Sequence, residues 1–136
     1  MKSKSYEILV TESAISLINY HFVFCPRYRR KIFNNPHIEA RFKELIFQID
    51  KEYDMQILAI ECDKDHAHIF VNALPKYSPA DIMKIIKGNT SITLRKEFSS
   101  LLKAPTLWTK NYFVSTAGNV SPETICRYVE SQKTRG

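Results

Sequence analysis

The segment order strand, helix, strand, strand, helix, strand, helix predicts an α+β chain of the ferredoxin-like, split βαβ kind. Such a chain forms a four-stranded antiparallel sheet with two helices on one face, followed here by a C-terminal helix. Three observations carry this reading. Two long segments with apolar residues at helical spacing each open on a capping residue followed by proline. Four shorter segments are rich in aromatic and β-branched residues. A length of 136 residues, 44% hydrophobic and 25% charged, suits one compact domain over residues 1–136, without cross-links.

Residues 1–18 carry no clear pattern. Residues 19–26 (NYHFVFCP) read as the first strand, ended by Pro26 and the basic run Arg27-Tyr28-Arg29-Arg30-Lys31. Asn35-Pro36 opens the first helix, with Asn as N-cap and Pro in the first turn. Ile38, Phe42, Leu45, Ile46, Ile49 and Tyr53 then form its core-facing stripe. Residues 55–62 and 66–73 read as a hairpin joined by Asp63-Lys64-Asp65. Ser78-Pro79-Ala80-Asp81 opens the second helix, whose apolar side holds Ile82, Ile85, Ile86 and Leu94. Lys84, Lys87, Ser91 and Arg95 share another face. Residues 112–117 (YFVSTA) are the fourth strand, Gly118-Asn119 breaks it, and Ser121-Pro122 starts a last helix reaching about Lys133.

The formal net charge of +6 favours a polyanionic partner. Three widely spaced cysteines, Cys25, Cys62 and Cys126, support neither a disulfide framework nor a zinc ribbon, and read as buried reduced thiols. The N-terminus shows no secretory leader and no apolar run is long enough to span a bilayer, so a soluble cytoplasmic protein is expected.

Two segments carry chemistry. In Asp65-His66-Ala67-His68-Ile69-Phe70-Val71, strand alternation points His66 and His68 to one face, where two adjacent imidazoles can chelate a cation. Ala67, Ile69, Val71 and Ala73 then pack beneath the helices. In the last helix Tyr128 and Gln132 are four residues apart and share a face, with Ile125 and Val129 beside them to seat the helix. Taken alone, His-x-His also fits two surface histidines, and a helical tyrosine is usually an amphipathic anchor.

Together with the RYRRK run, these segments resemble the single-tyrosine HUH transposases (His, hydrophobic, His) of small bacterial and archaeal insertion sequences. The resemblance spans about residues 20–133. Its carriers are HFVFCPRYRRKIF at 21–33, DHAHIFV at 65–71, PKYSPADIMKIIKG at 75–88, LWTKNYFVSTAGNVS at 107–121 and RYVESQK at 127–133. Two departures stand out: Ala67 is small for the hydrophobic place, and Thr109-Lys110-Asn111 differs from the usual stretch there.

The resemblance implies that Tyr128 is the nucleophile and that His66, His68 and Gln132 hold a divalent metal, Mg²⁺ or Mn²⁺. It implies strand cleavage and rejoining through a 5′-phosphotyrosine, on single-stranded DNA with hairpins at the element ends. Arg27, Arg29, Arg30, Lys31, Lys84, Lys87 and Arg95 are then the candidate phosphate contacts. It also implies a homodimer whose active sites combine the histidines of one subunit with the tyrosine helix of the other. The Gly118-Asn119 break is a compatible hinge.

Three alternatives stand beside this reading. A host-domesticated tyrosine transposase acting on palindromic repeats would share the chemistry. A non-catalytic nucleic-acid-binding module would use the same sheet, but the Gly-Phe-Gly-like signature of RRM domains is missing. A metal-dependent phosphodiesterase would recruit Glu61, Asp63 or Asp65 as further ligands and water as nucleophile. A covalent DNA–protein adduct separates the tyrosine chemistry from the last two.

Overall fold

The computed structural model describes residues 8–11, 13–116 and 122–132, with side chains in the last helix from residue 127 onward. The elements are β1 (Leu9–Val10), β2 (Ile15–Ser16), β3 (Asn19–Phe24), α1 (Pro36–Glu52), β4 (Met55–Asp63), β5 (His66–Ala73), α2 (Pro79–Glu97), β6 (Phe113–Ser115) and α3 (Pro122–Ser131). Strands β3 to β6 form one antiparallel sheet in the order β4-β5-β3-β6, the expected ferredoxin-like arrangement.

Alternation along the strands separates the two faces of this sheet. Phe22 and Phe24 of β3, Ile57 and Ile60 of β4, and Ala67, Ile69 and Val71 of β5 point to the helix side. There they join Phe42, Ile46 and Ile49 of α1 and Ile82, Ile86 and Leu94 of α2 in one core. Full burial of each large apolar side chain contributes roughly 1.5–3 kcal/mol, so this layer holds the sheet rigid beneath the opposite face. Both helices begin as their caps predict. The Asn35 side chain accepts from the His37 N–H at 2.9 Å. Ser78 and Asp81 form a reciprocal capping box, with both bonds at 3.0 Å.

Several features depart from the pattern read along the chain. Residues 8–16 contain a small ribbon, β1 pairing antiparallel with β2. Asp63 belongs to β4, so the hairpin turn is only Lys64 and Asp65. The β4 strand carries a bulge, since Ile57 pairs with Val71 but Ala59 pairs with Phe70, which leaves Leu58 as the extra residue. The fourth strand is shorter than expected: β6 is Phe113–Ser115, with Tyr112 and Val114 packed against the core. Gly118-Asn119, Ala117, Ser121 and Lys133 lie outside the described residues.

Beyond Pro26 the chain stays paired. The Arg27 N–H donates to the Leu107 carbonyl at 2.8 Å and the Thr109 N–H donates to the Cys25 carbonyl at 3.0 Å. Trp108 is thereby inserted into the core. Its ring lies edge-on to Phe24, 4.8 Å between centroids, and its Nε1 donates to Thr90 Oγ1 at 3.0 Å. Residues 107–109 thus lie alongside the end of β3. No helix among the described residues is long and apolar enough to cross a membrane.

Candidate active site on the sheet face opposite the helices

The face turned away from α1 and α2 carries the histidines. Cross-strand partners point to the same side, and Val23 is opposite both His68 and Phe113, while His21 is opposite Phe70 and Ser115. His66 and His68 therefore share one surface with His21, Val23, Phe70 and Phe113. On β4, Asp63 pairs with His66 and Glu61 with His68. The expected common direction of His66 and His68 holds, and their ring centroids lie 5.0 Å apart.

Each of the two imidazoles is held by its Nδ1. His66 Nδ1 is 2.9 Å from Asp65 Oδ1, and His68 Nδ1 is 3.0 Å from His21 Nε2. In both rings Nε2 is left as the atom able to meet a ligand. An orienting partner on the other ring nitrogen is the usual arrangement around a metal-binding histidine. Burial holds the His68 imidazole far below its ordinary value, to about 4, with His66 and His21 adding to the fall. His68 is thus neutral at pH 7, the form a metal requires. Burial lowers His21 in the same direction.

Helix α3 brings Tyr128 and Gln132 to this face. The Tyr128 ring lies 6.2 Å from the ring of Phe113, and Val129 and Gln132 are buried. The Tyr128 hydroxyl oxygen and the Gln132 Oε1 are both buried without a hydrogen-bond partner among the described residues. Leaving a buried polar atom unpaired costs about 1–3 kcal/mol, and these two lie one helical turn apart on α3. The Tyr128 phenol is pushed well above its ordinary value, mainly by burial and then by nearby Cys25. The Thr109 side chain, short of a full hydrogen bond, offsets a little of this.

Arg29 ties the elements together. Its Nε lies 2.7 Å from Asp65 Oδ2, its Nη1 is 3.1 Å from Glu130 Oε1, and the same Nη1 is 3.5 Å from the Val129 carbonyl oxygen. One guanidinium thus spans the acid that holds His66 and the helix that carries Tyr128. Tyr28 (φ 60°) and Arg29 (φ 53°) are both in the left-handed region, where non-glycine residues are strained by roughly 1–3 kcal/mol each. That backbone turns Arg29 inward.

The other basic candidates divide into bound and free. Arg95 donates to the carbonyls of Pro105 at 3.0 Å and Ala104 at 3.1 Å. Arg30 Nη2 reaches the Leu101 carbonyl at 3.5 Å, and Arg27 donates to Thr106 Oγ1 at 3.1 Å. Lys87 donates to the carbonyls of Thr109 and Lys110, and burial lowers its ammonium to about 8. Lys31 and Lys84 are exposed. Burial pushes the thiols of Cys25 and Cys62 up to about 12, so both are unreactive. The side chains of Cys126 and Ile125 lie outside the described residues.

Reading along the chain overlooked His21, Asp65 as the partner of His66, and Arg29 as a tie. Parity offered one clue to His21, which alternates with Val23 and Cys25, but its neighbours depend on strand register. Among the described residues, no three His, Cys, Asp or Glu side chains are grouped to hold a metal. A metal here needs an amide or solvent ligand, and the unpaired Gln132 Oε1 suits that need. The donor set of two imidazole Nε2 atoms and one amide oxygen fits an open divalent site.

Residues 14–132 match the family described as "Transposase IS200 like". The transposase for insertion sequence element IS200 of Salmonella typhimurium is 31% identical over 116 residues, covering 83% of this chain and 75% of that protein. The fold is similar to the crystal structure of a candidate transposase from Deinococcus radiodurans, with a TM-score of 0.82, 22% identity, and coverage of 92% of this chain and 98% of that one. It is also similar to a REP-associated tyrosine transposase bound to a REP hairpin, with a TM-score of 0.52, 12% identity, and coverage of 96% and 68%.

Proposed function

The chain belongs to the IS200-like transposase family, and from that premise we propose that it cleaves and rejoins single-stranded DNA at insertion-sequence ends, with Tyr128 as nucleophile and His66, His68 and Gln132 as ligands of Mg²⁺ or Mn²⁺. The observation that carries this reading is the pair of unpaired buried atoms on α3, the Tyr128 hydroxyl and Gln132 Oε1, on the sheet face that bears the two free histidine Nε2 atoms.

The steps follow from these residues. Tyr128, having lost its phenolic proton to a base, attacks the scissile phosphorus. The new bond is phenolic oxygen to phosphorus, the broken one is phosphorus to the 3′ oxygen, and the products are a 3′-hydroxyl and a 5′-phosphotyrosine. Rejoining reverses this, as an incoming 3′-hydroxyl attacks the phosphotyrosine and restores the tyrosine, so no nucleotide cofactor is consumed. The bound cation supplies charge neutralisation at the phosphoryl oxygens. Mn²⁺ accepts imidazole more readily than Mg²⁺ does. Asp65 orients the His66 imidazole, and Arg29 keeps α3 in register with Asp65.

A hairpin in the DNA is supported by the relative bound to a REP hairpin. Lys31 and Lys84 are the exposed cations best able to meet phosphates. Arg27, Arg29, Arg30, Lys87 and Arg95 reach DNA only by sharing or leaving their present partners. A homodimer with sites built in trans follows the family pattern. The contacts of Arg29 with Glu130 and the Val129 carbonyl can be made equally by the α3 of a second copy. Such a reaction belongs in the cytoplasm, with the chromosome. The relative at 31% identity serves an insertion sequence, which favours this reading over a domesticated repeat-processing enzyme.

The test uses labelled single-stranded hairpin DNA, Mg²⁺ or Mn²⁺, and a denaturing gel. A covalent adduct is expected with the wild-type chain. None is expected with Tyr128→Phe, with EDTA, or with the same sequence as a perfect duplex. An adduct that persists in Tyr128→Phe overturns the assignment of the nucleophile, and undiminished cleavage in EDTA overturns the metal role.

A further inference from the structure

His21 is placed with unusual definition for a side chain that the chemistry above does not require. Its ring is 3% exposed and lies parallel to Phe70, with centroids 4.2 Å apart and planes at 9°. Phe113 stands edge-on at 6.4 Å. In the β3–β5 register His21 is diagonal to His68, since its direct partner is Phe70. That offset places its Nε2 3.0 Å from His68 Nδ1. The other ring nitrogen, His21 Nδ1, is buried and makes no hydrogen bond among the described residues.

We propose that His21 is a positioning residue of the metal centre: its Nε2 accepts the hydrogen bond from His68 Nδ1–H and thereby fixes the tautomer and ring plane in which His68 offers Nε2 to the cation. This rests on the reading of His68 as a ligand. The proton count follows from that role. A neutral imidazole carries one proton, and a ligating Nε2 has none, so in the loaded site the proton of His68 is on Nδ1. Only one hydrogen can lie between His68 Nδ1 and His21 Nε2, so His21 accepts, and its own proton is on Nδ1.

In the empty protein the opposite arrangement competes, with His21 Nε2–H donating and His68 protonated on Nε2. The two arrangements differ by one proton shifted across the hydrogen bond, one released from His68 Nε2 and one taken up at His21 Nδ1, with no net change in charge. The buried, unpaired His21 Nδ1 is what keeps the empty pair from locking into the loaded form. Stacking on Phe70 fixes the plane of His21, and through it the plane of His68. Partners of this kind typically change metal affinity by about 10–100-fold.

The experiment uses the full chain stripped of metal, titrated with Mn²⁺ and followed by the electron paramagnetic resonance signal of the free ion. Circular dichroism checks the fold of each variant. His21→Phe keeps the ring on Phe70 and removes the acceptor, and a loss of Mn²⁺ affinity of about 10–100-fold is expected. His21→Gln restores an acceptor and should recover most of that loss, and His68→Ala should abolish binding at this site. Imidazole ¹⁵N spectra of the wild-type chain saturated with Mg²⁺ should show His68 protonated at Nδ1. This reading does not depend on any variant folding.

Affinity within twofold of wild type in folded His21→Phe, while His68→Ala has lost the metal, overturns the proposal and leaves the metal reading intact. His68 protonated at Nε2 in the Mg²⁺ form overturns the proposal and, with it, the assignment of His68 Nε2 as a ligand. A wild-type chain that binds no Mn²⁺ overturns both.

Discussion

Arg29 Nε and Asp65 Oδ2 lie 2.7 Å apart, and the other oxygen of that carboxylate, Oδ1, is 2.9 Å from His66 Nδ1. A single acid thus orients the His66 imidazole on one side and anchors the guanidinium that reaches α3 on the other. The pair is well shielded, with side-chain exposures of 19% and 14%, whereas Glu130 at the far end is 65% exposed.

Arg29→Ala should therefore cost about 1–3 kcal/mol of unfolding free energy, because it strands Asp65 in a partly buried place. Glu130→Gln should cost no more than about 1 kcal/mol, since its contact is solvent-screened. Arg29→Lys should rescue poorly, because an ammonium cannot address two acids through separate edges of a planar fork. Urea midpoints measure the stabilities. Amide hydrogen exchange in α3 measures the anchoring and should accelerate in Arg29→Ala. Unchanged exchange would show that Arg29 does not hold α3.

Tyr128→Phe should leave stability unchanged or raise it by up to about 1 kcal/mol. The hydroxyl it removes is buried with no hydrogen-bond partner, so the change deletes a desolvation cost and no bond. Thermal unfolding of the variant checks this. A loss above 1 kcal/mol would mean that the hydroxyl is already paired in the free protein, and would weaken its assignment as a group kept open for a phosphate.

Acidification should destabilise the metal-free protein over a defined window. His68 in the folded chain titrates near 4, against an unperturbed value of 6.5, and His21 is lowered in the same sense. Between these values the unfolded chain binds more protons than the folded one, so stability rises with pH there. Their contribution is fully present above about pH 6.5, falls as pH drops toward 4, and levels off below. Melting temperatures of wild type and His68→Gln at pH 7.5, 5.5 and 4.5 test it, and the variant should show the shallower decline. Equal slopes would mean that His68 is not held neutral by burial.

Mixing His66→Ala with Tyr128→Phe, under conditions that let subunits exchange, should restore cleavage to about a quarter of the wild-type level. Sites built in trans give each heterodimer one site with both defects and one with neither. Half of the dimers are mixed at equal amounts. If sites form within one chain, every site carries a defect and the mixture stays inactive.

Much of this site is legible in the sequence. Asn35-Pro36 and Ser78-Pro79 located the starts of α1 and α2 because capping is local chemistry. His66 and His68 fell on one face because strand alternation is local too. His21 was not readable in the same way. Its partner is 47 residues away and is met only through the diagonal of the β3–β5 register. The Asp65–Arg29 tie depends on two left-handed residues, Tyr28 and Arg29, and neither is a glycine that would have signalled the turn. The β1–β2 ribbon was missed because Leu9–Val10 and Ile15–Ser16 are each two residues long, too short to display a period.

The bulge at Leu58 makes the backbone path of β4, as well as its composition, part of the site. Strict alternation would put Ile57, Ala59, Glu61 and Asp63 on one face. The bulge breaks that set, so Ile57 goes down with Val71 while Glu61 and Asp63 come up beside His68 and His66. Pairing Leu58 regularly with Phe70 would turn Ile60 and Cys62 toward His68 and His66 and drive Glu61 into the apolar layer, whereas deleting Leu58 would close the bulge and leave Glu61 and Asp63 where they are. Along this strand one looped-out residue, and not the run of residue types alone, sets which side chains the histidines meet.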